Sequence, residues 1–387
     1  MLTNLPPVRK AAARLVALCA ALWLAGCTVP STVGGPRLDA GAPVQVALLV
    51  PQSSAQGGAI LAQSLENAAR LAVADVQGAQ IDLRVYDSGG QAGIAADAAR
   101  QAVADGAQVI IGPVFAGAAN AAGLAVASSG VNVLSFSNNP DIAGGNVFIL
   151  GTTFDDVAGR LTSYAARQGR GDIFVVSGED VAEAMGRDAV LGAISRSGAR
   201  LAGQASFPLS QQGVASAAPS IASRIQGSGA NAVFLTSGTA GALPLLVDLL
   251  PQGGVSPATV QYIGLQRLDI PQSALSQPGL QGAWFALPDP QQAGAFRARY
   301  ANAYGGAPHP IAGLAYDGIA AVAALAAQGQ SPSAGALTQG SGFAGATGAF
   351  RLLPGGSNQR GLAVAEIRNN QVIVIDPAPR RFGGAGF

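Results

Sequence analysis

Val44-Gln45-Val46-Ala47-Leu48-Leu49-Val50-Pro51 is the stretch that decides the fold. Its near-continuous apolar run makes a strand buried on both faces, and Pro51 ends it because proline cannot donate to a ladder. Residues 57–76 then change period. Ile60, Leu61, Leu65, Ala68, Leu71 and Ala72 recur at helical spacing on one face. The alternation continues outward. Strands are predicted at 81–86, 109–111, 131–136 and 146–151, with helices at about 91–104 and 116–128 between them. A second round has helices at about 155–168, 181–196, 214–227 and 240–250 and strands at 172–177, 200–207, 231–236 and 259–263. Strand 282–287, helices 291–304 and 311–327, and β-like pieces at 347–352, 362–368 and 371–375 follow. Buried strands alternating with helices make parallel sheets covered on both faces. Two rounds therefore predict an α/β protein of two doubly wound, Rossmann-like lobes, with a cleft between them at the carboxyl ends of the strands.

Composition narrows the chemistry. The 387 residues are 49% hydrophobic and 11% charged, which excludes a highly charged disordered chain. Aromatic residues are only 5%, so the core must be built from Ala, Val, Leu and Ile. His309 is the only histidine, Lys10 the only lysine, and the two cysteines are Cys19 and Cys27. Cys/His metal clusters, a Schiff-base lysine and a P-loop lysine are thereby excluded from the body of the chain. His309 lies between Pro308 and Pro310 in a turn, a poor place for a catalytic base. No metal, cofactor or catalytic residue is expected, and the protein reads as non-enzymatic. A formal charge of +1 gives no footprint for nucleic acid. Gly227-Ser228-Gly229-Ala230-Asn231-Ala232 has dinucleotide-like spacing but precedes a strand instead of following one. Asp155-Asp156 sits where a helix starts, which favours capping over acid–base chemistry, and Trp284 reads as core.

The first residues read as a targeting segment. Arg9, Lys10 and Arg14 precede the apolar run Leu15–Ala25, and Leu24-Ala25-Gly26-Cys27 follows. This resembles a bacterial lipobox, with residues 1–26 a signal peptide and Cys27 the acylated residue. Cleavage would leave 19 basic against 21 acidic residues, a net charge of −2, and no thiol in the folded part. Residues 27–43, rich in Pro, Gly, Ser and Thr, read as a flexible tether. The expected location is the periplasmic side of the envelope, anchored through lipid; Thr28 after the cysteine favours the outer membrane by resemblance to Gram-negative lipoproteins.

Four stretches carry a family resemblance: Ala47-Leu48-Leu49-Val50-Pro51, Tyr86-Asp87, Val109-Ile110-Ile111-Gly112-Pro113, and Val131-Asn132-Val133-Leu134-Ser135-Phe136. Together they resemble type I periplasmic binding proteins of the leucine-binding class. The resemblance implies three crossings between lobes, with lobe one at 44–151 plus 280–332, lobe two at 152–279 plus 333–376, and a loose tail at 377–387. Ile111-Gly112-Pro113-Val114-Phe115, Gly345-Ala346-Thr347-Gly348-Ala349-Phe350 and Gln371-Val372-Ile373-Val374 further resemble the penicillin-binding protein activator lipoproteins. That narrower resemblance implies a peptidoglycan synthase as partner. The alternative is a solute receptor of an ABC transporter for an amino acid or similar small ligand.

The loops after the strands supply the candidate ligand-binding residues: Ser53, Ser54, Phe115, Ser135, Ser137, Glu179, Thr236 and Gln266. They are mostly small and polar, as needed where backbone approaches a ligand. A free amino acid needs a carboxylate for its ammonium. Where the family resemblance implies an aromatic and an acid, this chain has Met185 and Gln266-Arg267, which argues against a standard amino-acid receptor unless Glu179 or Asp180 supplies the carboxylate.

Overall fold

The computed structural model describes residues 42–55 and 57–382, together with Pro36. The proposed signal peptide, Cys27 and most of the tether lie outside the described residues. Strand β1 (Val44–Val50) is buried at every position but one. It is followed by α1 (Gly58–Asp75), β2 (Ile81–Asp87), α2 (Ala92–Ala104), β3 (Val109–Ile111), α3 (Ala116–Val126), β4 (Asn132–Ser135) and β5 (Val147–Ile149). The five strands form a parallel sheet in the order β2-β1-β3-β4-β5. One face is covered by the alanine faces of α2 and α3: Ala99, Ala102 and Ala122 pack with Ala47, Leu49 and Ile110. Side chains this small let the helices lie close to the sheet and to each other, which is how so aromatic-poor a chain still fills its core.

The chain then crosses over at residues 150–153 and builds α4 (Phe154–Arg167), β6 (Asp172–Gly178), α5 (Val181–Ser197), β7 (Arg200–Phe207), α6 (Gln211–Ser228), β8 (Ala232–Leu235), α7 (Leu243–Gln252), β9 (Gln261–Gly264) and β10 (Trp284–Pro288). It continues with α8 (Pro290–Tyr304), α9 (Gly313–Ala327), the short α10 (Ala334–Leu337), β11 (Phe343–Gly345), β12 (Gly348–Leu352), β13 (Asn358–Arg360), β14 (Leu362–Arg368) and β15 (Gln371–Asp376). The second sheet has the order β15-β14-β10-β9-β8-β6-β7, parallel except for the two tail strands. Strands β11–β13 form a small antiparallel sheet of their own. The α/β architecture read from the sequence is therefore present, with apolar clusters on both faces of each large sheet.

Two segments lie elsewhere than the sequence suggested. Strand β10 pairs with β9 at Trp284–Ile263 and with β14 along its length, so 280–289 belongs to the second sheet, not to lobe one. Conversely, Leu337, Phe343, Phe350 and Leu352 pack into the core that also holds Val46, Leu48 and Leu314, so 333–352 belongs to lobe one. An apolar strand carries no local mark of the sheet it will join; distant pairing decides it. Trp284 is core, edge-on to Tyr164 with ring centroids 4.9 Å apart. Asp156 completes a capping box at the start of α4: its N–H donates to the Thr153 hydroxyl at 3.2 Å, and its carboxylate accepts from the Thr153 N–H at 3.3 Å. Among the described residues, no helix is long and apolar enough to cross a membrane.

Candidate functional site

The loop from β3 to α3 turns at Gly112, whose φ is 94°. A Cβ there would stand 2.2 Å from the Leu49 carbonyl oxygen, so only glycine lets the backbone turn this close to β1. The turn brings Phe115 to the N-cap of α3 with its ring 44% exposed. Beside it, after β4, the Ser135 hydroxyl donates to the Pro113 carbonyl at 2.9 Å and accepts from the Ser137 N–H at 3.1 Å. Ser137 in turn accepts from the Asn139 N–H at 3.1 Å. Ser135 is thus a buried clamp between two loops, while Ser137 reaches the space they enclose.

That space is a cavity of about 480 Å³. Lobe one contributes Phe115, Phe136, Ser137, Asn138, Ile311 and Leu314. The second sheet contributes Pro288 and Leu362, so the cavity lies where the two lobes meet. Among the described residues, its only ionisable lining residue is Arg360, and that guanidinium is already engaged. Its Nε donates to the Leu150 carbonyl at 2.7 Å, and one terminal nitrogen reaches Asp317 at 2.9 Å and the Thr347 hydroxyl at 2.6 Å. Asp317 is fully buried and also accepts from the Thr347 N–H at 3.3 Å and, through a short contact, from the Thr347 hydroxyl. The Thr347 carbonyl accepts from the Asp289 N–H at 3.3 Å. The passages at 150–153 and 360–362 meet at this buried pair, and 288–290 is tied to it through Thr347. What remains for a ligand is apolar surface with neutral hydrogen-bonding groups, chiefly Ser137, Asn138 and Thr152.

In lobe two the candidates are engaged by neighbouring groups. Glu183, 8% exposed in the first turn of α5, accepts from the Gly178 N–H at 2.9 Å, from the Ser237 hydroxyl at 2.6 Å and from the Thr236 hydroxyl. Gln266 donates to the Thr236 carbonyl at 3.2 Å, and exposed Glu179 accepts from Ser206 at 3.1 Å. None of Glu179, Thr236 and Gln266 lines the interlobe cavity. Met185 does face lobe one, across an adjoining cavity of about 620 Å³ that shares Asn138 and Asn139 and also holds Asp141, Asp155 and Asp188.

Of the remaining candidates, Ser53 is exposed and its N–H donates to Asp87 at 3.2 Å. Partial burial pushes the Asp87 carboxyl up, but donors from Ser53, Gly89 and Gln52 outweigh it and hold the group below the usual carboxylate range. Ser54 stands beside Gly90 and near the Phe115 ring at the rim. The structure therefore brings Phe115 and Ser137 together at one cavity with Ser135 beneath them. Sequence reasoning missed Thr347 and Arg360: Thr347 lay inside a stretch quoted only for its resemblance, and Arg360 had no signal. Among the described residues, no group of three His, Cys, Asp or Glu side chains is placed to hold a metal ion.

Residues 43–371 match a family model described as periplasmic binding protein. No curated protein sequence matches the chain. Similar solved structures include a putative branched-chain amino acid ABC transporter protein from Rhodospirillum rubrum, with 19% identity and a TM-score of 0.73, covering 86% of this chain and 100% of that one. A substrate-binding protein from Desulfitobacterium hafniense, in complex with Leu, has 17% identity and a TM-score of 0.63, with 86% and 100% covered. A solute-binding protein from R. palustris, in complex with benzoate, has 17% identity and a TM-score of 0.57, with 89% and 99% covered.

Proposed function

We propose, from the premise that this chain belongs to the periplasmic binding protein family, that it is a small-solute receptor that captures its ligand between the lobes and delivers it to an ABC transporter. Family membership implies a periplasmic location. The observation that carries the reading is the 480 Å³ cavity at the strand ends, open to both lobes and lined by apolar side chains with a few neutral polar groups. Its volume suits one small molecule. The similar solved structures are transporter binding proteins, which supports this reading over synthase activation; the activator reading rests on the short sequence stretches alone.

The cavity also restricts the ligand. No carboxylate is free in its wall, since Asp317 lies behind Arg360 and Thr347. A desolvated ammonium would go unpaired there, at a penalty of several kcal/mol. The expected ligand is a small solute with an apolar body and a hydrogen-bond-accepting head, such as a monocarboxylate. Phe115, Phe136, Ile311 and Leu314 would cover the body. Ser137, Asn138 and the first-turn N–H groups of α3 would meet the head.

A thermal-shift panel of aliphatic and aromatic monocarboxylates against free amino acids tests this. Saturable stabilisation by a carboxylate, weakened by Phe115→Ala, is expected. Stabilisation by amino acids alone would overturn the ligand class. A complex with a peptidoglycan synthase, with no solute response at all, would overturn the receptor. Lipidation at Cys27 and anchoring in the outer membrane belong to the same proposal. Mass spectrometry of the mature chain is expected to find an acylated cysteine at its N-terminus.

A further inference from the structure

We propose that a second site, separate from the interlobe cavity, binds a small tetrahedral oxyanion behind the hinge through Arg160, Arg167 and Arg196, with the engaged Arg360 in its wall. These four guanidinium groups line a cavity of about 290 Å³ between α4, α5 and the β13–β14 passage. Four of the 19 arginines beyond the signal segment converge on this one space.

Their pairing leaves capacity for a ligand. Arg160 is buried and holds the Leu362 and Pro377 carbonyls at 2.7 and 3.2 Å. Its Nη1 rests 2.9 Å from Asp376 but makes no well-directed hydrogen bond. Arg167 and Arg196 have side chains 48% and 64% exposed, and each is held by a single carboxylate, at 3.0 Å from Asp376 and 3.7 Å from Asp155. Both can turn toward an anion without breaking the core. Ser163 and Gln359 add neutral donors to the wall.

The charge balance points the same way. Against four guanidinium groups stand Asp155, Asp317 and Asp376, with Asp156 the remaining acid. Burial pushes the Asp156 carboxyl up to about 7, against the donors from Thr153 and the field and N–H of Arg360. Arg160 and Arg167 from α4, Arg196 from α5, and Asp155 beside it are the other charged groups around the cavity. While Asp156 keeps its proton, the cluster therefore carries one positive charge that the chain itself does not neutralise. Arg360 and Leu362 wall both this cavity and the interlobe one, so an anion here would bear on the passage joining the lobes.

The test uses the full chain with sulfate, whose charge is constant between about pH 6 and pH 8, against chloride at matched ionic strength. Calorimetry is expected to show saturable binding, tighter at about pH 6, and roughly tenfold or more weaker in the Arg167→Gln/Arg196→Gln double variant. Phe115→Ala, which alters only the interlobe cavity, is expected to leave sulfate binding unchanged. Ser163→Asp supplies the anion from the chain itself. It is expected to raise the unfolding midpoint in chloride and abolish the sulfate response. A sulfate effect that does not saturate, or that persists undiminished in the double variant, would overturn the site.

Discussion

The two rims facing the cleft use similar loops to opposite ends. In lobe one, Ser135 ties the β3–α3 and β4 loops together from below and leaves Phe115, Ser137 and Asn138 on the cavity wall. In lobe two, Glu183 draws the Gly178 N–H and the Thr236 and Ser237 hydroxyls inward onto itself. A small polar residue after a strand is therefore not a ligand contact by type. What decides is whether a nearby buried charge has already claimed it. Lobe one keeps its own buried charge, Asp317, one layer deeper, where Arg360 neutralises it and leaves the rim free.

The largest expected effect comes from removing that deeper pair. Arg360→Met strands Asp317 without a cation in a fully buried position. Breaking a buried pair this way destabilises by about 3–5 kcal/mol. Urea unfolding is expected to show the loss, and the double variant Arg360→Met/Asp317→Leu to recover much of it. If the single variant unfolds at the wild-type midpoint, the pair does not underwrite the open rim. Asp156→Asn probes the hinge from the other side. A carboxyl whose folded value of about 7 lies above its unfolded ~3.9 removes stability as pH rises from about 4 to about 7, because the folded state resists giving up the proton. The variant is therefore expected to be relatively more stable at about pH 8 than at about pH 4, by roughly 1 kcal/mol or more. Unfolding curves that stay parallel across that window would remove the desolvated carboxyl from the account.

The sequence made the strands and helices of both rounds legible because their apolar periods are local. The strand at 172–177 is found at Asp172–Gly178, and the helix at 311–327 at Gly313–Ala327. It did not show which sheet β10 joins, since Trp284–Leu287 reads as a buried strand in either lobe. Nor did it show Arg360. An arginine in a polar turn is ordinarily solvated; only the meeting of distant passages buries it. The site was legible as loops after strands but not as contacts. Glu183, one helical turn beyond the loop residue Glu179, decides where Thr236 points, and no local pattern marks it.

Glu183→Gln tests the closed rim directly. Glutamine keeps one acceptor oxygen but loses the charge that strengthens hydrogen bonds from Gly178, Thr236 and Ser237. A loss of about 2 kcal/mol in thermal or urea unfolding is expected, with cleft-ligand affinity unchanged. A large fall in affinity with unaltered stability would mean that lobe two reads the ligand after all.

The smallest effect on stability, and the sharpest on binding, is expected at the open rim. Phe115 is 44% exposed at the N-cap of α3, so truncation to alanine uncovers little core. Its stability change is expected to stay below about 1 kcal/mol. If the ring covers the apolar body of a bound solute, its loss removes about 1.5–3 kcal/mol of burial, or roughly ten- to hundredfold in affinity. Titrating the best monocarboxylate into both proteins separates the two outcomes. A ring that only shields the β3–α3 loop would lower the midpoint and leave affinity untouched. A ring that forms the wall of a binding site would do the reverse, which is what its place between Gly112 and the cavity leads one to expect.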